Sequence, residues 1–492
     1  MVSQRDNFSP IAQTSRGRAA ALEWLMSRIN YEQATLAPYN ERQLKLDRMR
    51  TLLTRLGQPD AGLKIVHVAG TKGKGSTSAM LAATLTAAGY RTGIFSSPHL
   101  DRIEERFAVD GVSSTADELI TLVDRLRPIC RAMDEEAAAA NDPFGGPTYF
   151  EVTTAMALVH FVERQVDVAI LEVGLGGRLD ATNVCLPLVS VITSISLDHT
   201  KQLGNSLAAI AREKAGIIKP GVPVVCGVLG AEAQPVIAEI AREHGSRLIQ
   251  LGEDFCYRYQ TALIDFEYKL AGQEQRVKNI GLAMRGPHQA ANAAVALAAI
   301  AELRHQGWCI SSEAIRRGLS QAVLPGRVEY LAGQIGDIVS RGRPAVVIDT
   351  AHNQASARAL VETLAELPRH GRRTLILSVS SDKDVAAIVR EVVPYFGRVI
   401  VTQYQDNPRA VAADELAGLV RAAIAEGAPR QIGSGGVDVI VCETPREAWD
   451  AVCVTAVADE LVVVAGSFFL TAELRPVVIG IEGTVASSNF GR

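Results

Sequence analysis

Residues 65–89 read IVHVAGTKGKGSTSAMLAATLTAAG, and this stretch decides the fold class. Ile65 to Ala69 is a short run of apolar and β-branched residues, the composition of a buried strand. Three glycines then fall within six residues, at Gly70, Gly73 and Gly75, before an apolar Ala/Leu-rich segment with strong helix propensity. Strand, glycine loop and helix in this order turn backbone N–H groups and the positive end of a helix dipole toward an anion. Lys74 stands where an ammonium would meet β- and γ-phosphates, and the Ser76 hydroxyl where it would ligate Mg²⁺. Gly70, Thr71, Gly73, Lys74, Gly75, Ser76 and Thr77 are therefore candidate ATP-binding residues. An ordinary Gly/Lys surface turn would not sit between a buried strand and an apolar helix. The loop specifies phosphate binding but not a reaction.

Outward from the loop, apolar β runs alternate with helical stretches: TGIF, a helix near 149–164, VDVAILEVG, VSVITSI, a helix near 205–215, and VPVVCGV. Such alternation predicts a parallel sheet covered by helices. A second series begins with AVVIDTA after Pro344 and continues through TLILSVS, VIVTQ and DVIV, each followed by a helical stretch, to end on ELVVVAGS. At 492 residues the chain exceeds one ordinary core. The expected fold is α/β, a P-loop parallel-sheet ATPase domain plus a smaller C-terminal Rossmann-like α/β domain. LPGRVEY (324–330) breaks the pattern, so the expected boundaries are a mobile tail at 1–20, an ATP-binding domain at 21–325 and a C-terminal domain at 326–492. Leu22, Leu25, Met26 and Ile29 recur at helical spacing as a lead-in. Residues 131–147, Ala-rich and acidic and then Gly/Pro-rich, read as a surface insertion.

The formal net charge of -4 provides no global field for nucleic acid or an anionic membrane, so anionic substrates must be met locally. Seven scattered cysteines, with no Cys-x-x-Cys pair, argue against a disulfide framework or a thiolate metal site. No signal-like apolar core begins the chain and no run approaches the roughly 20 apolar residues of a membrane span. A cytoplasmic protein is expected.

Two further strand ends carry polar groups. VDVAILEVG delivers Glu172, and VSVITSI is followed by Ser196-Leu197-Asp198-His199. Ligand sites in parallel sheets open at the carboxyl ends of strands. Mg²⁺ asks for few protein oxygens when phosphates complete its shell, so one carboxylate and one hydroxyl suffice.

The segments GTKGKGST, FSSPHLDRIEERF, LEVGLGGRLDATN and DHTKQLGNSLAAIAREKAGIIKPG resemble the folylpolyglutamate and dihydrofolate synthases of the Mur ligase superfamily. Lys72 stands where that family usually has Asn. The resemblance implies that Ser97, Glu172 and His199 bind metal, two Mg²⁺ in all, and that Lys214 reacts with CO₂ to become a carbamate ligand. It further implies that His288, Gln289 and Asn292 of RGPHQAANAAVA face the nucleotide and that Arg327 reaches its phosphates. Asp349, His352 and Asn353 echo the family's Asp-Gly-Ala-His-Asn, with Thr350 in place of Gly, and Asp382, Lys383 and Asp384 echo its Asp-Lys-Asp loop. Polar strand-to-helix caps are the plain alternative for both.

The implied activity is an ATP-dependent ligase, monomeric, that activates a folate or dihydropteroate carboxylate as an acyl phosphate and joins it to L-glutamate. Lys74 and Arg327 would neutralise the transferring phosphoryl group and His352 would deprotonate the amine. The acceptor would meet the segment after Ser97, with Arg102 and Arg106, and the region around Tyr149-Phe150-Glu151. Mur cell-wall ligases share the loop and the chemistry but place a domain for a UDP-linked peptide ahead of it. Only about 64 residues precede the first strand here. A non-catalytic ATP-binding regulator is the remaining alternative, and it would have no use for Glu172, His199 and Lys214 together.

Overall fold

A computed structural model describes residues 10–31, 46–142, 145–270, 273–332, 344–367, 371–426, 436–457 and 459–480. They form two compact units. The first runs to Ala322 apart from Tyr259–Ala262 and Ala283–Ala290, which group with the second unit, from Val323 onward.

The first unit is built on eight strands: β1 (Ile65–Ala69), β2 (Thr92–Phe95), β3 (Phe107–Val109), β4 (Val112–Ser113), β5 (Val168–Glu172), β6 (Val189–Ile192), β7 (Val224–Cys226) and β8 (Leu248–Gln250). Their order is β4-β3-β2-β5-β1-β6-β7-β8. The β2–β3 and β3–β4 pairs at one edge are antiparallel and the other pairings are parallel. Every residue of β1, β5 and β6 is buried, because helices cover both faces. One face packs on the helices Leu46–Arg55, Ala116–Ala139 and Tyr149–Glu163, the other on Leu207–Ala215 and Gln234–Glu243. The chain leaves β1 toward β2 on one side and leaves its neighbour β6 toward β7 on the other, which opens a crevice at the carboxyl ends between them.

A second, three-stranded antiparallel sheet of β9 (Phe255–Gln260), β10 (Leu263–Leu270) and β11 (Gln273–Gly281) was not anticipated from the sequence. Its signal is present: along β9 burial alternates strictly from Phe255 to Gln260, the period of a sheet with one wet face. In the second unit β12 (Glu329–Ala332), β13 (Ala345–Ile348), β14 (Arg372–Leu377), β15 (Arg398–Val401), β16 (Asp438–Val441) and β17 (Glu460–Ala465) form one sheet ordered β12-β13-β17-β14-β15-β16. Only β12 runs antiparallel to its neighbour.

Two expectations are corrected. Residues 10–20, read as part of a mobile tail, belong to the helix Pro10–Met26, where Arg18 donates to both oxygens of Glu104 at 2.5 and 3.0 Å; Ile29 lies beyond that helix. Residues 1–9 lie outside the described set. The segment 131–147 does not begin as a surface insertion. Its Ala-rich half completes the helix Ala116–Ala139, capped by Thr115 and Glu118, with Met133 buried and Asp134 paired to Arg28 at 2.7 Å. Alanine and glutamate extend a helix at little cost, which outweighed the segment's polar look.

Candidate active site

The glycine loop leaves β1 and is strapped to the end of β6. Thr71 N donates to Ser194 O (2.7 Å), Lys72 N to Ser194 Oγ (3.0 Å), and Thr193 Oγ1 and Ser194 Oγ donate to Lys72 O (2.7 and 2.9 Å). Thr71 and Ser196 exchange a further pair of bonds. Ser196 belongs to the polar cluster read from the sequence; Thr193 and Ser194 do not, although the run Thr-Ser-Ile-Ser at the end of an apolar strand is the pattern that marks them. Gly73 has φ +85°, and a Cβ there would lie 2.1 Å from Asn292 Oδ1, so only glycine lets the helix Pro287–His305 bring Asn292 against the loop. Ser76 and Thr77 are buried at the start of the helix Lys74–Ala87, and the Thr77 hydroxyl is a buried oxygen without a hydrogen-bond partner.

Charged groups gather where β1, β5 and β6 end. Glu172 is the last residue of β5, paired across from Val68, and the Ser97 segment leaves β2 beside it, since Phe95 pairs with Leu171. The ammonium groups of Lys74 and Lys214 both donate to the carbonyl oxygen of Gly70, at 3.2 and 2.9 Å. Burial lowers the pKa of Lys74, with Glu172 pulling the other way. Burial, and then the charge of Lys74, bring Lys214 down to about 7. His199, at φ 49° ahead of the short helix Thr200–Leu203, has its pKa lowered by burial and by Lys74 and Lys214, against the opposing charge of Asp198. Burial would raise Asp198, but the Lys72 ammonium 2.8 Å away carries it down to about 2. Lys72 thus forms an ion pair beside the phosphate loop rather than a neutral contact.

In the second unit Asp349, at the end of β13, accepts from the N–H groups of Val328 (2.9 Å) and Ala351 (2.8 Å). Burial raises its pKa and Arg327 opposes that rise. His288 belongs to the same neighbourhood: burial and the charge of Arg327 lower it to about 4. His352 Nδ1 lies 2.8 Å from Thr350 O, and a carbonyl only accepts, so Nδ1 carries the proton and Nε2 is the basic nitrogen. Thr350 is not among the described residues with left-handed backbone, so its replacement of glycine leaves this turn unstrained. Asn353 and Asp384 accept from Ser356 N and Ala387 N as helix caps, the geometry that the plain alternative expects.

A glycine-rich phosphate loop, a carboxylate, an imidazole and paired lysines at one sheet edge, joined to a second parallel α/β unit, define the class of Mur-type ATP-dependent ligases. Residues 68–300 match the Mur ligase middle domain and residues 326–468 the Mur ligase glutamate ligase domain. The dihydrofolate synthase/folylpolyglutamate synthase of Escherichia coli is 34% identical over 95% of this chain and 98% of its own. The crystal structure of folylpolyglutamate synthase from Thermotoga maritima superposes with a TM-score of 0.77 at 32% identity, covering 94% of this chain and 97% of that one. E. coli FolC in complex with DHPP and ADP gives 0.73 at 31%, covering 94% and 98%. The chain belongs to the folylpolyglutamate synthase/dihydrofolate synthase family of ATP-dependent glutamate ligases.

Proposed function

We propose that this chain forms an amide between L-glutamate and the carboxylate of a folate or dihydropteroate, through an acyl phosphate, with release of ADP and phosphate. The observation that carries the reading is the convergence of Lys74 and Lys214 on one carbonyl of the glycine loop, with Glu172, Asp198 and His199 around them. Two ammonium groups at one oxygen repel each other, and a polyphosphate is the anion this loop is shaped to receive. The E. coli complex with DHPP and ADP supports the choice of substrates.

The carboxylate oxygen attacks the γ-phosphorus and the bond to the ADP oxygen breaks. The glutamate nitrogen then attacks the acyl carbon, phosphate leaves, and the amine proton is lost. Lys74 neutralises charge that grows on the transferring group, and holding both reactants at the loop replaces a bimolecular encounter. In the second unit, Arg327 and Asp349 are assigned to nucleotide and His352 Nε2 to the amine proton, on the family pattern and on the tautomer set by Thr350. Residues 21–325 are assigned to ATP and 326–492 to glutamate transfer.

The donor set suits Mg²⁺. Hard oxygen donors and phosphates are what Mg²⁺ binds, and Glu172 and the hydroxyls of Ser76 and Thr77 supply oxygens here. Ser76, Ser97, Glu172, His199 and a carbamylated Lys214 would hold it, and the unpartnered Thr77 hydroxyl adds an oxygen nearby. When bound, Mg²⁺ neutralises phosphate charge and orients the chain for in-line transfer. A pKa of about 7 keeps much of Lys214 as the free amine near neutral pH, the form that adds to CO₂, and the resulting anion removes the repulsion with Lys74.

We further assign the protein to the cytoplasm as a monomer. Its seven cysteines are free thiols, and among the described residues no helix is long and apolar enough to cross a membrane. The test is phosphate release from MgATP with glutamate and, separately, dihydropteroate, tetrahydrofolate or a UDP-muramyl peptide. Release with a pteridine acceptor is expected. Release with the muramyl peptide alone identifies a cell-wall ligase, and release with none identifies a nucleotide-sensing protein. Lys74→Ala should abolish turnover with an unchanged circular dichroism spectrum, and full activity in that variant would remove the loop from the reaction.

A further inference from the structure

Lys214 reaches Gly70 only if the end of its helix is held in register with the strand ends. That helix, Leu207–Ala215, finishes against the loop that follows Glu172. Its last carbonyls have no partners within the helix and need donors from outside. Arg178 N donates to Glu213 O at 2.8 Å, and the Arg178 guanidinium grips the Glu213 carboxylate at 3.1 Å on the exposed side. Gly177 passes so close that a Cβ would lie 2.9 Å from the carbonyls of both Glu213 and Lys214.

On the buried side one side chain joins the two segments. Asn183, 4% exposed, donates from Nδ2 to Arg178 O at 3.0 Å and to Gly216 O at 2.9 Å. Both neighbours are carbonyl oxygens, so the orientation of the carboxamide follows from chemistry: only the NH₂ end can face them. The residue is itself anchored, its N–H donating to Asp180 O (2.9 Å) and its carbonyl accepting from Lys219 Nζ (2.8 Å). Asp180 in turn accepts from the N–H groups of Gly174 and Leu175, the residues just beyond the end of β5.

We propose that Asn183 is a positioning residue for the ligase reaction, its carboxamide locking the loop after Glu172 to the helix end so that Lys214 is held against the phosphate loop. This rests on the assignment of Lys214 made above. The side chain touches no substrate; it acts through Lys214. An aspartate in its place sets a carboxylate against two carbonyls, and an alanine removes the donor that both share.

The experiment is a double-mutant cycle of Asn183→Ala and Lys214→Ala in the full-length enzyme. Turnover, ATP KM, the unfolding midpoint and the ¹³C resonance of a lysine carbamate formed from labelled bicarbonate are read for each. Asn183→Ala is expected to lower kcat by about tenfold or more, the cost of a misplaced reacting group, while ATP KM moves by less than about threefold. The carbamate signal should weaken. In the Lys214→Ala background the same substitution should change kcat by less than about twofold. An equal loss in both backgrounds overturns the proposal, as does a lowered unfolding midpoint with kcat per folded molecule unchanged. Should the alanine variant not fold, Asn183→Ser, which keeps one donor, is carried through the same cycle. Lys214→Ala with full activity is a separate outcome and sinks the assignment of Lys214 itself.

Discussion

Replacing Lys214 by methionine should stabilise the nucleotide-free protein while lowering its turnover severely. The ammonium is lowered from 10.5 to about 7 by burial and by Lys74. The difference of about 3.5 pH units, at about 1.4 kcal/mol each, corresponds to a cost of ~5 kcal/mol for keeping the group charged in the native protein. Methionine has similar length and no charge, and it forfeits the bond to Gly70 O, worth about 1 kcal/mol. A net gain of ~4 kcal/mol is therefore expected at pH 6 and below, where the native lysine is mostly protonated. Between pH 7 and 10.5 the unfolded chain binds more protons than the native one, so wild-type stability climbs with pH and the advantage of the variant fades. Urea unfolding at pH 6, 7.5 and 9 without nucleotide or bicarbonate measures this, alongside glutamate-dependent phosphate release. A variant less stable than wild type at pH 6, or a difference that does not change with pH, would refute the burial of a charged Lys214.

Lys72→Asn should raise the KM for ATP by roughly fivefold, because Asp198 then faces the phosphates uncompensated, and adding Asp198→Asn should restore it; steady-state kinetics at low salt decides. Glu473, half-buried and beside Asp406, has its pKa raised from 4.5 to about 7 mainly by desolvation, so wild-type stability falls as pH climbs through that window. Glu473→Gln keeps an acceptor for Gln405 N and Asp406 N and should add ~2 kcal/mol at pH 8 and almost nothing at pH 4.5, as read from unfolding midpoints. Arg48→Ala leaves the carboxylate of Glu151, now bonded by Arg48 Nε at 2.9 Å and buried with it, without its cation, and should cost ~3 kcal/mol in chemical denaturation. A loss under 1 kcal/mol would show that water reaches the pair.

The glycine loop shows how far a sequence reaches. Its residues are contiguous, and their use depends on local backbone freedom and on the helix they open, so Gly70 to Thr77 could be read directly. The two parallel series were equally legible, because buried strands and covering helices write their periods into neighbouring residues. The β9–β11 sheet is marked only by the alternation of β9, and the Ala-rich end of the helix Ala116–Ala139 reads as an insertion because composition hides its continuity.

What local pattern could not supply was distance across the fold. That Lys74 and Lys214 share one carbonyl, that Thr193 and Ser194 strap the loop, that Lys72 neutralises Asp198, and that Asn183 bridges two backbones are contacts between residues far apart in the chain. The order of strands β5, β1 and β6 creates them, and strand order follows from how whole faces bury against helices. The chain by itself determined the elements and the phosphate-binding chemistry. Tertiary packing alone decided which charges meet, because a charge's protonation depends on burial and neighbours that are no part of its local sequence.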